Sequence, residues 1–286
     1  MKNIVLIRHG ESLGQTARKR GTSRSDPSLQ DCFLSSRGVR DAQQLRSNDI
    51  LQQYSFDLVC VSPLTRALST SILGLGHIIE QEEQDKEDID QRQHQQRQHQ
   101  RHSNTRIPFI ARADICEFGG IPENHGTPLR KLIKSVKEQL STVSGPSSVD
   151  CLHHIDFSML PLSWPDTNTN TNTNTNTNTN INTNTKTKTK TKTNTQTNAN
   201  TNIGGKGNRK GNRNGKGKGN HKRGIESFMS WLSERPEENI AIVCHYNVIR
   251  WMLQNVIHHV PNCTPIECIL TDEGELILKS RFEDVE

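Results

Sequence analysis

The sequence predicts an α/β fold, a three-layer sandwich in which helices cover both faces of a mostly parallel central sheet. Short apolar runs rich in β-branched residues, typical of buried strands, lie at residues 3–8, 57–61 and 240–244. Helical patterns separate these runs along the chain. Strands that alternate with helices predict a parallel sheet, and such sheets are covered on both faces.

The remaining elements follow from the same patterns. We expect a polar loop after the first strand, a further strand near residues 107–115, and a terminal hairpin of residues 266–270 with 276–279. Helices are predicted at residues 37–53, 64–75, 129–140, 225–234 and 248–257. Ser36 and Asn247 are the predicted N-caps of the helices at 37 and 248, because their side-chain oxygens can accept free backbone N–H groups.

Two low-complexity segments interrupt this pattern. Residues 80–105 turn from an acidic run into a mixture of Gln, Arg and His, and residues 166–223 alternate Thr with Asn or Lys before a tract of Gly, Lys, Arg and Asn. Such compositions bury too little apolar surface to offset an ordering entropy of about 1–2 kcal/mol per residue. We therefore predict a single domain over residues 1–286 with two disordered insertions.

The formal net charge of +5 is unevenly distributed. Residues 167–223 hold twelve Lys and Arg and no acidic residue, which leaves 24 basic and 31 acidic residues, a net charge of −7, in the rest of the chain. A basic tract can bind nucleic acid through counterion release. Because no aromatic residue interleaves these charges to stack on bases, we expect a solvated loop and keep nucleic-acid binding as an alternative.

Cysteine usage and hydropathy bear on the compartment. The seven cysteines form no C-x-x-C pair, and several lie within predicted strands, where Cys acts as a small hydrophobic residue. The first core strand begins near residue 3 and leaves no room for a signal peptide. No apolar run reaches the eighteen or so residues of a membrane span. We expect a cytoplasmic protein with no membrane partner; the oligomeric state stays open.

Three predicted strands end in Arg or His. Arg8 and His9 follow the first strand, Arg66 lies just past the second, and His245 follows the strand at 240–244. Ligands of open α/β sheets bind at the carboxyl ends of the strands, so we expect these side chains to meet there. Guanidinium groups can hold phosphate through paired hydrogen bonds, and the histidines add further donors. The pattern therefore indicates a phosphate site.

The same residues carry a family resemblance. The chain resembles the histidine phosphatase superfamily, the phosphoglycerate mutase-like group. The matching motifs are Arg8-His9-Gly10-Glu11-Ser12, Asp31-x-x-Leu34-Ser35-x-x-Gly38-x-x-x-Ala42-x-x-Leu45, and Ser62-Pro63-Leu64-x-Arg66-Ala67-x-x-Thr70. The resemblance implies the α/β fold predicted above and a reaction in which His9 is phosphorylated and the phosphohistidine is then hydrolysed. Spacing alone does not choose His9 over His245.

The proton donor is predicted from both lines of reasoning. A leaving alkoxide needs a carboxylic acid whose pKa is raised by burial or by nearby charge. Glu117 follows a predicted strand, precedes a Gly pair, and lies where the family places its acid, between the second Arg and the second His. Glu123 is the alternative. The residues expected to contact phosphate are Arg8, Arg66, His245, Gly10, Ser12, Gln15 and Asn247.

Some positions depart from the family pattern. Gln15 stands where Asn is usual, and Tyr246-Asn247 replace a common glycine pair. These changes bear on the identity of the substrate more than on the chemistry. His94, His99 and His102 lie in the Gln-rich insertion and could bind metal. We nevertheless expect neither a metal nor another cofactor, since two Arg and two His supply the positive charge that the mechanism needs.

The sequence thus predicts a metal-independent phosphomonoester hydrolase, a histidine phosphatase, that acts on a small phosphorylated substrate through phospho-His9. One alternative is phosphoryl transfer of the phosphoglycerate mutase type, for which the longer substrate-binding segments are not matched. Another is an inactive phospho-ligand module whose basic insertion binds nucleic acid. Such a module would have no need of Glu117.

Overall fold

The structure, a computed structural model, describes residues 1–78, 107–144, 149–165 and 215–279, with backbone alone at 215–221. These residues belong to a compact unit formed by residues 1–167 and 214–286. A second unit, residues 168–213, lies outside the described part of the chain. The predicted insertion at 80–105 also lies outside the described part of the chain, as do residues 166–214 of the other insertion.

A seven-stranded sheet forms the centre of the described unit. Its strands are β1 Lys2–Arg8, β2 Leu58–Val61, β3 Phe109–Ala111, β4 Ile155–Asp156, β5 Asn239–Cys244, β6 Pro265–Leu270 and β7 Leu276–Leu278. Their order is β4-β3-β2-β5-β1-β6-β7. The first five strands in this order pair in parallel, whereas β6 is antiparallel to β1 and β7. The mostly parallel sheet and the terminal hairpin are confirmed.

Seven helices accompany the sheet in the described residues. They are α1 Leu13–Lys19, α2 Ser36–Gln44, α3 Asp49–Gln52, α4 at residues 65–78, α5 Leu129–Val143, α6 Gly215–Glu234 and α7 Tyr246–Met252. Short 3-10 turns at Leu45–Ser47, Ala113–Ile115 and Pro122–Asn124 connect several of these elements.

The core lies on both faces of the sheet. Along β1, Val5 and Ile7 belong to one buried cluster, which α2, α4 and α5 cover. Ile4 and Leu6 point to the opposite cluster, where Phe228 of α6 and Val248 of α7 pack. Because successive strand residues face opposite sides, a strand buried on both faces reads as a continuous apolar run. The predicted three-layer α/β sandwich is confirmed.

Several predicted boundaries were wrong. The helix expected at 37–53 is divided into α2, the 3-10 turn Leu45–Ser47 and α3, and the loop expected after β1 contains α1. The strand near 107–115 has only three residues, because the chain turns into a 3-10 helix after Arg112. The short strand β4 was not predicted.

The two helices predicted in the last third of the chain also differ from expectation. The helix predicted at 225–234 begins at Gly215 and so takes in the end of the basic segment. The helix predicted at 248–257 ends at Met252, since Gln254 and Asn255 adopt positive φ angles of 51° and 62°.

Both predicted N-caps are one or two residues late. Ser35, rather than Ser36, caps α2, and its Oγ accepts a hydrogen bond from the backbone N–H of Gly38 at 3.1 Å. His245, rather than Asn247, occupies the N-cap position of α7 and makes no side-chain capping bond. Asn247 therefore lies within the first turn of α7.

Candidate active site

The carboxyl ends of β2, β5 and β1 form the centre of the site. These strands are neighbours in the sheet and run parallel, with Arg8 paired to Cys244 and Val61 paired to Val243. The residues that follow them therefore leave the sheet side by side. The structure brings His9, Arg66 and His245 together here, in the region where the sequence places them.

His9 is held with one ring nitrogen protonated and the other unprotonated. Only 5% of His9 is exposed, and its Nδ1 lies 2.7 Å from the carbonyl oxygen of Gly10. Since a carbonyl can only accept, Nδ1 carries the proton and Nε2 carries the lone pair. Burial, reinforced by the charges of Arg66 and Arg8, lowers the pKa of His9 well below its ordinary value. His9 is thus a neutral imidazole with a nucleophilic Nε2.

Arg66 links His9 to the segment that follows β3. Its Nε donates to His9 Nε2 at 3.2 Å, Nη1 donates to the carbonyl of Glu123 at 2.6 Å, and Nη2 donates to Asn124 Oδ1 at 3.2 Å. Burial lowers the pKa of Arg66, but a guanidinium still remains charged at physiological pH. Its positive charge therefore lies directly beside Nε2.

Arg8 and His245 each carry a buried nitrogen without a hydrogen-bond partner in the described part of the chain, namely Arg8 Nε and His245 Nδ1. Arg8 Nη1 donates to the carbonyl of Val260 at 2.6 Å, and its guanidinium carbon lies 5.2 Å from the ring centroid of Tyr246. The ring centroids of His245 and His9 are 5.0 Å apart. An unpaired buried polar group costs about 1–3 kcal/mol, so these nitrogens are suited to a polar ligand.

Glu117 has the electrostatics of a proton donor. Burial raises the pKa of its carboxyl group, although the charge of Arg66 and two backbone N–H groups act in the opposite direction. Those groups belong to Phe118, which donates to Oε1 at 3.0 Å, and to Asn247, which donates to Oε2 at 3.3 Å. A buried carboxyl group whose pKa is raised keeps its proton to higher pH than an exposed one, as a general acid requires.

Glu123, the alternative donor, is engaged in packing and pairing. Its carboxylate forms an ion pair with Arg18, and only 5% of the residue is exposed. It lies against Gly14, where an added Cβ would come within 1.5 Å of Glu123 Oε1. The ion pair stabilises the ionised carboxylate, so the geometry favours Glu117 as the acid.

The predicted phosphate contacts Gly10, Ser12 and Gln15 have structural roles in the described residues. Gly10 donates its backbone N–H to Thr70 Oγ1 at 2.9 Å, and a Cβ on Gly10 would lie 2.6 Å from the carbonyl oxygen of Gly38. Ser12 and Gln15 form a capping box at the start of α1, with bonds of 2.9 and 3.1 Å. Their contact with phosphate stays a prediction.

Sequence reasoning assigned no role to Ser62, Thr70, Asn124 or Arg18. Ser62 Oγ lies 2.7 Å from His245 Nε2, and Thr70 Oγ1 donates to the carbonyl of Arg66 at 2.7 Å. Both residues are in the Ser62–Thr70 motif, which is a signal that could have found them. Asn124 donates to the carbonyl of Phe118 at 2.9 Å and so joins Arg66 to the Glu117 segment. No sequence pattern marks Asn124 or Arg18.

Two further features of the described residues bear on other functions. They contain no group of three or more His, Cys, Asp or Glu side chains that could hold a metal ion. Within the same residues, no helix has the length and apolar character needed to cross a membrane.

Comparison with protein families confirms the resemblance seen in the motifs. The model described as the histidine phosphatase superfamily (branch 1) matches residues 4–109. This range includes His9 and Arg66 but ends before Glu117 and His245. No significant match was found among curated proteins.

Solved structures with similar folds include several phosphatases and a mutase. An α-ribazole phosphatase from Shigella flexneri is 19% identical, with a TM-score of 0.45 and coverage of 97% of this chain and 94% of that one. A phosphoserine phosphatase from Entamoeba histolytica is 16% identical (TM-score 0.38, coverage 98% and 96%). A phosphoglycerate mutase from Bacillus anthracis is 15% identical (TM-score 0.45, coverage 98% and 92%).

Proposed function

We propose that this chain, which matches the histidine phosphatase superfamily over residues 4–109, hydrolyses small phosphomonoesters through a phosphohistidine intermediate on His9. The nucleophile would be His9 Nε2 and the proton donor Glu117. Arg8, Arg66 and His245 would bind the phosphoryl oxygens and neutralise their charge, which removes the need for a metal ion. Asn247, whose backbone N–H contacts Glu117, would border the same site.

The first step would transfer the phosphoryl group to the protein. His9 Nε2 forms a bond to phosphorus while the bond from phosphorus to the ester oxygen breaks. That oxygen keeps the electron pair and takes the proton of Glu117, so the alcohol leaves neutral. Arg66 Nε, which donates to Nε2 in the free protein, becomes available to the phosphoryl oxygens when Nε2 reacts.

The second step would return the protein to its starting state. A water molecule attacks phosphorus, and its proton passes to the Glu117 carboxylate. The bond from phosphorus to Nε2 breaks with the electron pair left on nitrogen. Inorganic phosphate is released, and both His9 and Glu117 regain their original protonation. The net reaction consumes one water and one phosphomonoester and yields one alcohol and one phosphate.

One observation carries this proposal: two buried nitrogens without a partner among the described residues, Arg8 Nε and His245 Nδ1, belong to residues that lie beside His9. The two guanidinium groups of Arg8 and Arg66 place positive charge here, and burial together with these charges lowers the pKa of both histidines. Unsatisfied polar groups beside concentrated positive charge favour an anionic ligand. The carboxyl group of Glu117, whose pKa burial raises, supports a catalytic site over a simple anion site.

Phosphoprotein trapping tests this assignment. The purified protein is mixed with 4-nitrophenyl phosphate, quenched in base and examined for a base-stable, acid-labile phosphate by mass spectrometry. We expect one phosphate on His9 and no turnover in His9→Ala. His153→Ala is the matched control, because His153 is exposed and precedes β4, at the amino ends of the parallel strands. Wild-type turnover in His9→Ala, or a phosphate on another residue, would contradict the mechanism.

A further inference from the structure

The hydrogen bond between Ser62 and His245 suggests a role for a residue to which no function is assigned. Ser62 follows β2 and is fully buried, as is His245. Ser62 Oγ lies 2.7 Å from His245 Nε2, a distance typical of a strong hydrogen bond involving a hydroxyl. The remaining ring nitrogen, Nδ1, has no partner among the described residues. The direction of this one bond therefore decides which nitrogen of His245 carries the proton.

The surroundings of Ser62 Oγ indicate that direction. The backbone N–H of Leu64 points toward this oxygen at 3.4 Å. Cys116 Sγ lies 3.6 Å from Ser62 Oγ and is the other group that could accept the hydroxyl proton. Burial raises the pKa of this thiol to about 12, so it keeps its S–H and can donate to Ser62 Oγ instead. Ser62 Oγ can accept from both groups, whereas its own single proton needs an acceptor. Sulfur is a weak acceptor, so the hydroxyl proton goes to the lone pair of His245 Nε2.

A neutral His245 has only one ring proton to place. Burial, together with the positive charges of Arg66 and Arg8, lowers the pKa of His245 well below its ordinary value, so the ring is neutral near pH 7. If Nε2 accepts from Ser62, the single proton must be on Nδ1. An Nδ1–H can donate to a phosphoryl oxygen, whereas an unprotonated Nδ1 would present a lone pair to that oxygen.

We propose that Ser62 is a positioning residue that donates its hydroxyl proton to His245 Nε2, and so fixes the tautomer in which Nδ1–H is free to bind phosphate. This inference rests on the proposed function for its consequence in catalysis. The tautomer itself is a property of the free protein. Ser62 touches neither the nucleophile nor, in this assignment, the substrate, and acts through His245.

Nitrogen NMR tests the tautomer without any assay of activity. The full chain is labelled with ¹⁵N at histidine, and the His245 signals are identified by their loss in His245→Gln. We expect a protonated Nδ1 and an unprotonated Nε2 in the wild type. In Ser62→Ala we expect this preference to weaken or reverse, and in Cys116→Ala, the matched control, we expect it to persist. A wild-type His245 with the proton on Nε2 overturns the proposal, as does an unchanged tautomer in Ser62→Ala.

Binding of inorganic phosphate gives a second readout. By calorimetry, Ser62→Ala should bind phosphate roughly three- to tenfold more weakly than the wild type, the loss expected when one hydrogen bond to an anion is no longer prearranged. Ser62→Thr, which keeps the hydroxyl, should restore affinity, and Cys116→Ala should match the wild type. Equal affinity in Ser62→Ala and Cys116→Ala would overturn the role in binding. Should His9 prove not to be phosphorylated, the proposed function fails, while the tautomer measurement still decides the role of Ser62.

Discussion

Replacing Glu117 by Gln removes a proton while leaving the shape of the side chain nearly unchanged. In the structure the two carboxyl oxygens accept from the backbone N–H groups of Phe118 and Asn247 at 3.0 and 3.3 Å. The amide of Gln keeps one acceptor oxygen for one of these donors. Its NH₂ group faces the other donor, and this costs about 1 kcal/mol, the value of one hydrogen bond. The fold should therefore survive, and the loss of activity should reflect the missing proton.

The size of the effect should depend on the leaving group. General acid catalysis is worth about 10²–10⁴-fold in rate, and this benefit matters only when the departing oxygen is strongly basic. For glycerol phosphate, whose alkoxide is a poor leaving group, kcat/KM should fall by roughly that amount in Glu117→Gln. For 4-nitrophenyl phosphate, whose phenolate leaves without help, kcat/KM should fall by less than about tenfold. The comparison uses kcat/KM because this quantity reports transfer to His9, before hydrolysis of the phosphoprotein.

Glu123→Gln is the matched control. The Glu123 carboxylate pairs with Arg18, so loss of this ion pair should change kcat/KM for both substrates by the same factor. If Glu117→Gln lowers kcat/KM by the same factor for both substrates, Glu117 is not the acid. If the dependence on the leaving group appears instead in Glu123→Gln, the acid is Glu123.

Further predictions concern stability and pH. Gly38→Ala should lower the free energy of unfolding by about 1–3 kcal/mol in thermal or urea denaturation, because a Cβ there would lie 2.1 Å from the carbonyl oxygen of Glu11. Gly120→Ala should leave the free energy of unfolding unchanged, because no atom lies within 4 Å of the added Cβ. Phe228→Ala should cost about 3–5 kcal/mol, since this side chain is fully buried. The raised pKa of Glu117 means that folding disfavours its charged form, so the wild type loses stability as pH rises through that pKa. The melting temperature of Glu117→Gln relative to wild type should accordingly increase as the pH is raised above the range in which an ordinary carboxyl group titrates.

The sheet was predictable because its strands are buried on both faces. In β1 and β5 this burial leaves nearly continuous apolar runs that end in polar residues, and sequence alone marks both limits. Helix ends were less predictable, because they depend on contacts made elsewhere in the fold. Ser35 rather than Ser36 caps α2, and Ser35 Oγ also donates to the side chain of Glu11 at 2.9 Å, a residue 24 positions away.

The part of the site that lies on strand ends could be anticipated, and the part on loops could not. His9 and His245 are placed by parallel strands whose register fixes them at one edge of the sheet. Asn124 enters the site only because the loop after β3 folds back so that its amide bridges Arg66 and the carbonyl of Phe118. No local sequence pattern indicates that this loop folds back toward Arg66. The same loop carries Glu117, which is why the sequence left Glu123 open as a rival.

The charges explain why the acid should lie on that loop rather than on a strand end. Arg8 and Arg66 already place two positive charges at the edge of the sheet, and an ionised carboxylate placed between them would be stabilised and its pKa lowered. Glu117 is held by backbone N–H groups beside these cations, yet burial outweighs their attraction and raises its pKa. A loop can bury a carboxyl group in this way because its backbone approaches from outside the sheet. In the proposed mechanism the strand ends would bind the phosphoryl group, and the loop would supply the proton.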